Sequence, residues 1–66
     1  MLALRRDERV ETFATCDRST VEITVINFRH GIKVMLARKS GESENETRDR
    51  ALTMLRERCD GADPAG

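Results

Sequence analysis

The chain has 66 residues and a formal net charge of zero, from 12 basic and 12 acidic side chains. A domain of this size buries only ~60% of the surface its unfolded chain exposes, and it carries too few cysteines to staple itself, so oligomerisation, most simply a homodimer, is the expected route to stability. Disulfide-dense scaffolds, four-ligand zinc sites and membrane helices, which need ~20 consecutive apolar residues, are excluded.

Met1-Leu2-Ala3-Leu4-Arg5-Arg6 reads as a first strand, anchored by apolar residues and ending in two guanidinium groups. Asp7, Glu8 and Arg9 suit a turn. Residues 10–16 are rich in β-formers, with Val10, Thr12, Ala14 and Cys16 on one face. Asp17, Arg18 and Ser19 predict the next turn, supplied with side chains for local hydrogen bonds. The strongest strand is 20–28. Val21, Ile23 and Val25 share one face; Glu22, Thr24, Ile26 and Phe28 share the other. The second face turns apolar at Ile26 and Phe28, so that half is expected to be covered on both sides. Arg29-His30-Gly31 predicts a tight hairpin loop in which Gly31 takes a positive φ. Residues 32–38 return as a strand, with Ile32, Val34 and Leu36 on one face.

Residues 39–46 have no apolar member and read as a linker or an exposed edge strand, with solvated carboxylates at 42, 44 and 46. Ser43 and Glu46 have capping-box spacing, and Asn45 is a second candidate N-cap. From about 46 to 59 the period becomes helical. Ala51, Leu52, Met54, Leu55 and Cys59 form an apolar stripe suited to covering the sheet. Arg48, Arg50, Arg56, Glu57 and Arg58 form a wet face, with Glu44–Arg48 and Glu46–Arg50 spaced as (i, i+4) ion pairs. Gly61 is placed to end the helix, and Pro64 bars its continuation. Residues 1–60 are thus expected to form one domain and 61–66 a flexible C-terminal tail. The expected fold class is mainly β with one C-terminal α-helix.

No catalytic constellation is visible. His30 has no orienting carboxylate near it in sequence and reads as an exposed turn residue. Cys16 and Cys59 read as small buried hydrophobes. There is no glycine-rich phosphate loop. The chain is therefore expected not to be an enzyme, with no cofactor, no metal and no small-molecule substrate. No secretory signal precedes the first strand, so a cytoplasmic location with reduced thiols is expected. The zero net charge hides an asymmetry: residues 1–41 carry +3 and residues 42–66 carry −3. Ten of the 12 cations are arginine, whose planar fork binds phosphate or a guanine edge bidentately.

Taken in order, these segments resemble the carbon storage regulator (CsrA/RsmA) family of small dimeric bacterial translational regulators. The opening Met1–Arg6 is similar to the family's Met-Leu-x-Leu-x-Arg. Glu11-Thr12-Phe13 falls near its Gly-Glu-Thr/Ser-hydrophobic stretch, with Val10 in place of the glycine. The hairpin from Val21 to Ala37 is similar to its third and fourth strands; Lys33 fits, and Met35 stands where glycine is usual. The fifth strand departs most: its usual proline, valine and histidine are absent, and only Arg48 falls where the arginine should. The resemblance implies an interleaved homodimer forming a small antiparallel β-sandwich or barrel, the first strand of one subunit beside the fifth of the other. It implies an RNA-binding regulator that reads GGA-type single-stranded loops in messenger leaders and represses translation. Leu4, Arg6 and Arg48 map onto the RNA site, with Arg5 as a neighbour and Arg38 and Lys39 as phosphate contacts. An antagonist protein or a small RNA would be a further partner. The rival reading is a degenerate member, or another small β-rich protein-interaction module, that does not bind RNA.

Overall fold

In the computed structural model, which describes residues 1–14 and 20–62 (Ala62 by its backbone alone), three strands precede one helix. The strands are β1 (Glu8–Ala14), β2 (Val21–Asn27) and β3 (Ile32–Ala37), and the helix is α1 (Glu44–Ala62). The strands form one antiparallel sheet in the order β1-β2-β3. Cys16 and the turn expected at Asp17-Arg18-Ser19 lie outside the described residues, as does Pro64.

Period-2 alternation decides which side of the sheet is dry. In the register, Val10, Val25 and Val34 form one row and Thr12, Ile23 and Leu36 the next. α1 packs on this face against β2 and β3. Ile23, Val25, Val34, Ala51, Leu52, Leu55 and Cys59 make the buried core, with Val10, Val21, Ile32, Leu36 and Met54 packed around it. The helical stripe is therefore core, as its spacing predicts. The opposite face carries Arg9, Glu11 and Phe13 of β1, Glu22, Thr24 and Ile26 of β2, and Lys33, Met35 and Ala37 of β3. Thr24 is buried among its sheet neighbours there, whereas Phe13 and Met35 are exposed, and α1 lies on the other side.

The hairpin between β2 and β3 forms where the sequence predicts it. Gly31 has φ 67°, the left-handed value such a turn needs. Asn27 Oδ1 accepts a hydrogen bond from the His30 backbone N–H at 2.8 Å, an Asx-type closure. Phe28 belongs to the turn rather than to the strand and is 59% exposed, so its expected cover is absent in one chain.

The expected first strand does not form. Met1–Arg6 makes no ladder hydrogen bond and runs as an exposed arm beside α1. The backbone N–H of Leu2 donates to Asp49 Oδ1 (2.9 Å), Arg48 Nη1 donates to Leu2 O (2.8 Å), and Arg56 Nη2 donates to Ala3 O (2.8 Å). These helix side chains supply the arm's polar partners, so it needs no strand beside it. Its departure shortens the sheet to three strands among the described residues. Glu8 and Arg9 belong to β1 rather than to the turn before it, and the turn itself falls at Arg6-Asp7.

α1 starts where the capping spacing predicts: Ser43 Oγ accepts from the Glu46 N–H at 3.1 Å, while Asn45 lies inside the helix. It does not end at Gly61. The helix runs through Gly61 to Ala62, because Gly61 does not take the left-handed conformation that would end it.

Two substitutions separate packing from backbone. Leu52 is fully buried, so Leu52→Ala is expected to destabilise by about 2–5 kcal/mol. A Cβ at position 31 meets nothing within 4 Å, so Gly31→Ala is expected to cost only the left-handed backbone term, about 1–2 kcal/mol, with Gly31→Asn costing less. Urea unfolding of the three variants measures both.

Candidate nucleic-acid interface

A buried carboxylate organises the region that the sequence singles out. Glu8 begins β1 on the apolar face and is 7% exposed. Its Oε2 accepts from Arg56 Nε at 2.9 Å, and its Oε1 accepts from Arg56 Nη2 at 2.8 Å and from the Arg5 N–H at 2.9 Å. The Glu8 N–H donates to Arg5 O at 3.1 Å, closing a turn over residues 5–8. The Arg56 fork holds the Glu8 carboxyl below the ordinary carboxylate range, against the opposing effect of burial. The same bonds push the Arg56 guanidinium up.

This turn fixes the arm's cations. Arg5 and Arg6 are both exposed. Among the described residues neither guanidinium has a carboxylate within ion-pair distance. Leu4 precedes them, 44% exposed. Arg48, on the second turn of α1, reaches the arm through Leu2 O and also lies 3.3 Å from Asp49 Oδ1. Arg48 thus meets, at Leu2, the arm that carries Leu4, Arg5 and Arg6. Arg38 and Lys39 are not part of it. They follow β3 at the end that faces Val21, where the Arg38 N–H donates to Val21 O at 2.8 Å, a strand's length from Asp7 and Phe28.

A second cluster surrounds Glu42, which is not the free, solvated carboxylate the sequence suggests. It accepts from Arg50 Nε (3.1 Å) and Nη2 (2.9 Å), from Thr47 Oγ1 (2.7 Å) and from the Lys39 N–H (3.2 Å). Arg38 Nη1 donates to its carbonyl at 3.1 Å. The Arg50 bonds first, then Thr47 and the Lys39 amide, hold the Glu42 carboxyl down to about 2. The expected Glu46–Arg50 and Glu44–Arg48 pairs do not form. A carboxylate already held in place competes better for Arg50 than an exposed, freely rotating Glu46, and Arg48 is drawn to Leu2 O. The face expected to be merely wet therefore spends Arg48, Arg50 and Arg56 on tertiary contacts.

Sequence reasoning missed Glu8 and Arg56, which lie 48 positions apart. A signal was present: Glu8 has the same strand parity as Val10, so it was bound to face the core side. His30 is exposed in its turn, as expected. Cys59 is buried among apolar side chains, and burial pushes its thiol up. Among the described residues there is no pocket and no group of three metal-ligating side chains. No family model matches the chain, and no curated protein or solved structure is detectably similar to it.

Both lowered carboxylates tie stability to pH with one sign. Each binds its proton more weakly folded than unfolded, so its contribution is complete above the ordinary value of 4.5 and is lost as pH falls through the folded value, about 2 for Glu42. The thermal midpoint is expected to fall steadily from about pH 5 to about pH 2. Glu42→Gln should lower it at pH 7 and converge on the wild type near pH 2. Scanning calorimetry across that range checks this, and parallel curves would contradict the assignment.

Proposed function

We propose that this chain is an RNA-binding post-transcriptional regulator of the carbon storage regulator type, acting in the cytoplasm on GGA-type loops in messenger leaders. Binding there would repress translation or alter message stability. The observation that carries the reading is the pair Arg5 and Arg6, held out from a turn whose own carboxylate is already consumed by Arg56. Guanidiniums that no carboxylate neutralises, beside an exposed leucine, suit a single-stranded loop whose bases are splayed out. Arg6 and Arg48 would read guanine edges, and Leu4 would pack on a base. Arg5 lies beside them, and Arg38 and Lys39 would bind phosphate. The scarcity of aromatic side chains argues against a stacking platform.

In this reading two chains form a homodimer, the arm of one adding to a sheet edge of the other. Two observations support it. Met1, Leu2, Leu4, Phe13, Phe28 and Met35 are all exposed, apolar surface that a second chain would bury. The outer edges of β1 and β3 have no strand partner among the described residues. Small RNAs carrying the same loops, or a protein docking on the arm, would compete with messenger. One observation favours the rival, a protein-interaction module without RNA binding: Phe13 and Met35 lie on an open sheet face that also carries Glu11 and Glu22.

Gel-shift titration with a GGA hairpin RNA tests the reading. Binding is expected to fall steeply with salt. Arg6→Ala and Arg48→Ala should each weaken it by roughly 5- to 150-fold, the range for one bidentate arginine–guanine contact. No shift at low salt would sink the RNA reading. Sedimentation of the free protein should give a dimer, and a stable monomer would contradict the assembly.

A further inference from the structure

The sheet has two ends, and they differ in free charge. At one end the residue 5–8 turn abuts the β2–β3 turn: the Phe28 N–H donates to Asp7 O at 2.8 Å, and Asn27 Nδ2 donates to Asp7 Oδ2 at 3.0 Å. This contact brings Arg5 and Arg6 next to Arg29. The register adds Lys33, which lies across β2 from Arg9 with Ile26 between them. Arg5, Arg6, Arg29 and Lys33 are all exposed, and among the described residues none has a carboxylate within ion-pair distance.

Of the acidic groups of β1 and its turn, Glu8 and Glu11 are paired with arginines, while Asp7 accepts from a neutral amide and keeps its charge, one against four cations. Asp7 accepts from Asn27, Glu8 from Arg56, and Glu11 lies 3.4 Å from Arg9. Glu57, Arg58 and Asp60 follow Arg56 on α1, which covers the other face of the sheet from Lys33. At the far end the balance reverses. Glu22 pairs in register with Ala37, and Glu44 and Glu46 open α1, so three carboxylates there, unpaired among the described residues, outnumber the side chains of Arg38 and Lys39, whose bonds to Glu42 run through its carbonyl and through the Lys39 amide. A neutral molecule thus carries a concentrated positive pole.

We propose that this pole is a phosphate-backbone site, in which Arg29 and Lys33 extend the Arg5–Arg6 turn and grip the nucleotides flanking the loop that Arg6 and Arg48 read. The proposal rests on the RNA reading above and adds residues that reading does not contain. Arg29 supplies a fork for one phosphate, and Lys33 supplies a point charge for the next. As phosphate contacts they carry no sequence information, so their contribution is independent of sequence. The occupant is a polyanion of regular charge spacing. A single carboxylate would be bound by Arg5 or Arg6 alone and would leave the rest of the pole unused.

The test compares wild type with the Arg29→Gln/Lys33→Gln double variant on two RNAs, the GGA hairpin and the same hairpin with its loop scrambled, from 20 to 300 mM salt. Both positions are exposed, and an unchanged urea midpoint verifies the fold. The double variant should weaken both RNAs by the same factor and lower the slope of log affinity against log salt by about 1 to 2. An unchanged slope, with GGA binding still lost in Arg48→Ala, would overturn the pole and leave the regulator reading standing. Equal wild-type affinity for both hairpins, with the slope lowered in the double variant, would establish the pole and refute base reading. Absence of binding to either RNA at 20 mM salt would remove both.

Discussion

The Glu8–Arg56 fork is the contact on which the arrangement of this chain depends. One carboxylate, almost removed from water, accepts both arms of one guanidinium and the amide of Arg5. It joins the first residue of β1, the turn before it and the fourth turn of the helix. The same guanidinium also binds Ala3 O, so the arm's path is set by the same side chain. A buried ion pair is not in itself a strong source of stability, since desolvation offsets most of the attraction. What it contributes is register. An apolar pair at these positions would pack as well, yet it would leave the Arg5 amide and the Ala3 carbonyl without partners. The fork decides where the arm goes, and so where Arg5 and Arg6 are presented.

The Glu42 cluster performs the corresponding task at the other end. It ties the chain between β3 and α1 to the first turns of the helix through Arg50 and Thr47, and closes that chain on itself through the Lys39 amide. Thr47 is fully buried, and its hydroxyl is satisfied by that carboxylate. The two clusters brace a helix whose apolar stripe is short. Between them lie the buried leucines of α1 and the valines and isoleucine of the sheet, which supply the non-directional part of the stability. The polar braces supply the direction in which the helix crosses.

The legible parts of this fold were those governed by period. Alternation at Ile23, Val25 and Val34 gave the dry face of the hairpin, and the 3.6-residue spacing of Ala51, Leu52, Leu55 and Cys59 gave the face of the helix. Gly31 and Ser43 were legible because a positive φ and an N-cap each demand particular residue types. Met1–Arg6 was not, because its apolar–polar pattern fits a strand equally well and only distant groups decide otherwise. Arg48, Asp49 and Arg56 approach it from more than 45 positions away in the chain. The charged face of the helix failed for the same reason: local spacing favoured pairs with Glu44 and Glu46, while tertiary structure offered better-held acceptors. Of the candidate site residues, Leu4, Arg5 and Arg6 lie on the arm and turn that Arg48 meets through Leu2, whereas Arg38 and Lys39 lie at the far end of the sheet.

The arm's attachment bears on how the proposed dimer would form. In one chain it is held by side-chain hydrogen bonds at the surface, each worth a net ~0.5–1.5 kcal/mol, and Met1 remains largely in water with Leu2 and Leu4 partly so. A strand added to an open edge would satisfy its backbone along its length and bury those side chains as well. The tether is therefore weak enough to exchange, while the turn that follows it, pinned by Glu8, is not. Arg5 and Arg6 would keep their place whether the arm lay along its own helix or along a second sheet. The positive pole depends on that turn, on the β2–β3 turn and on β3, not on the arm, so it would be present before assembly and could draw RNA to the chain as the composite site is completed.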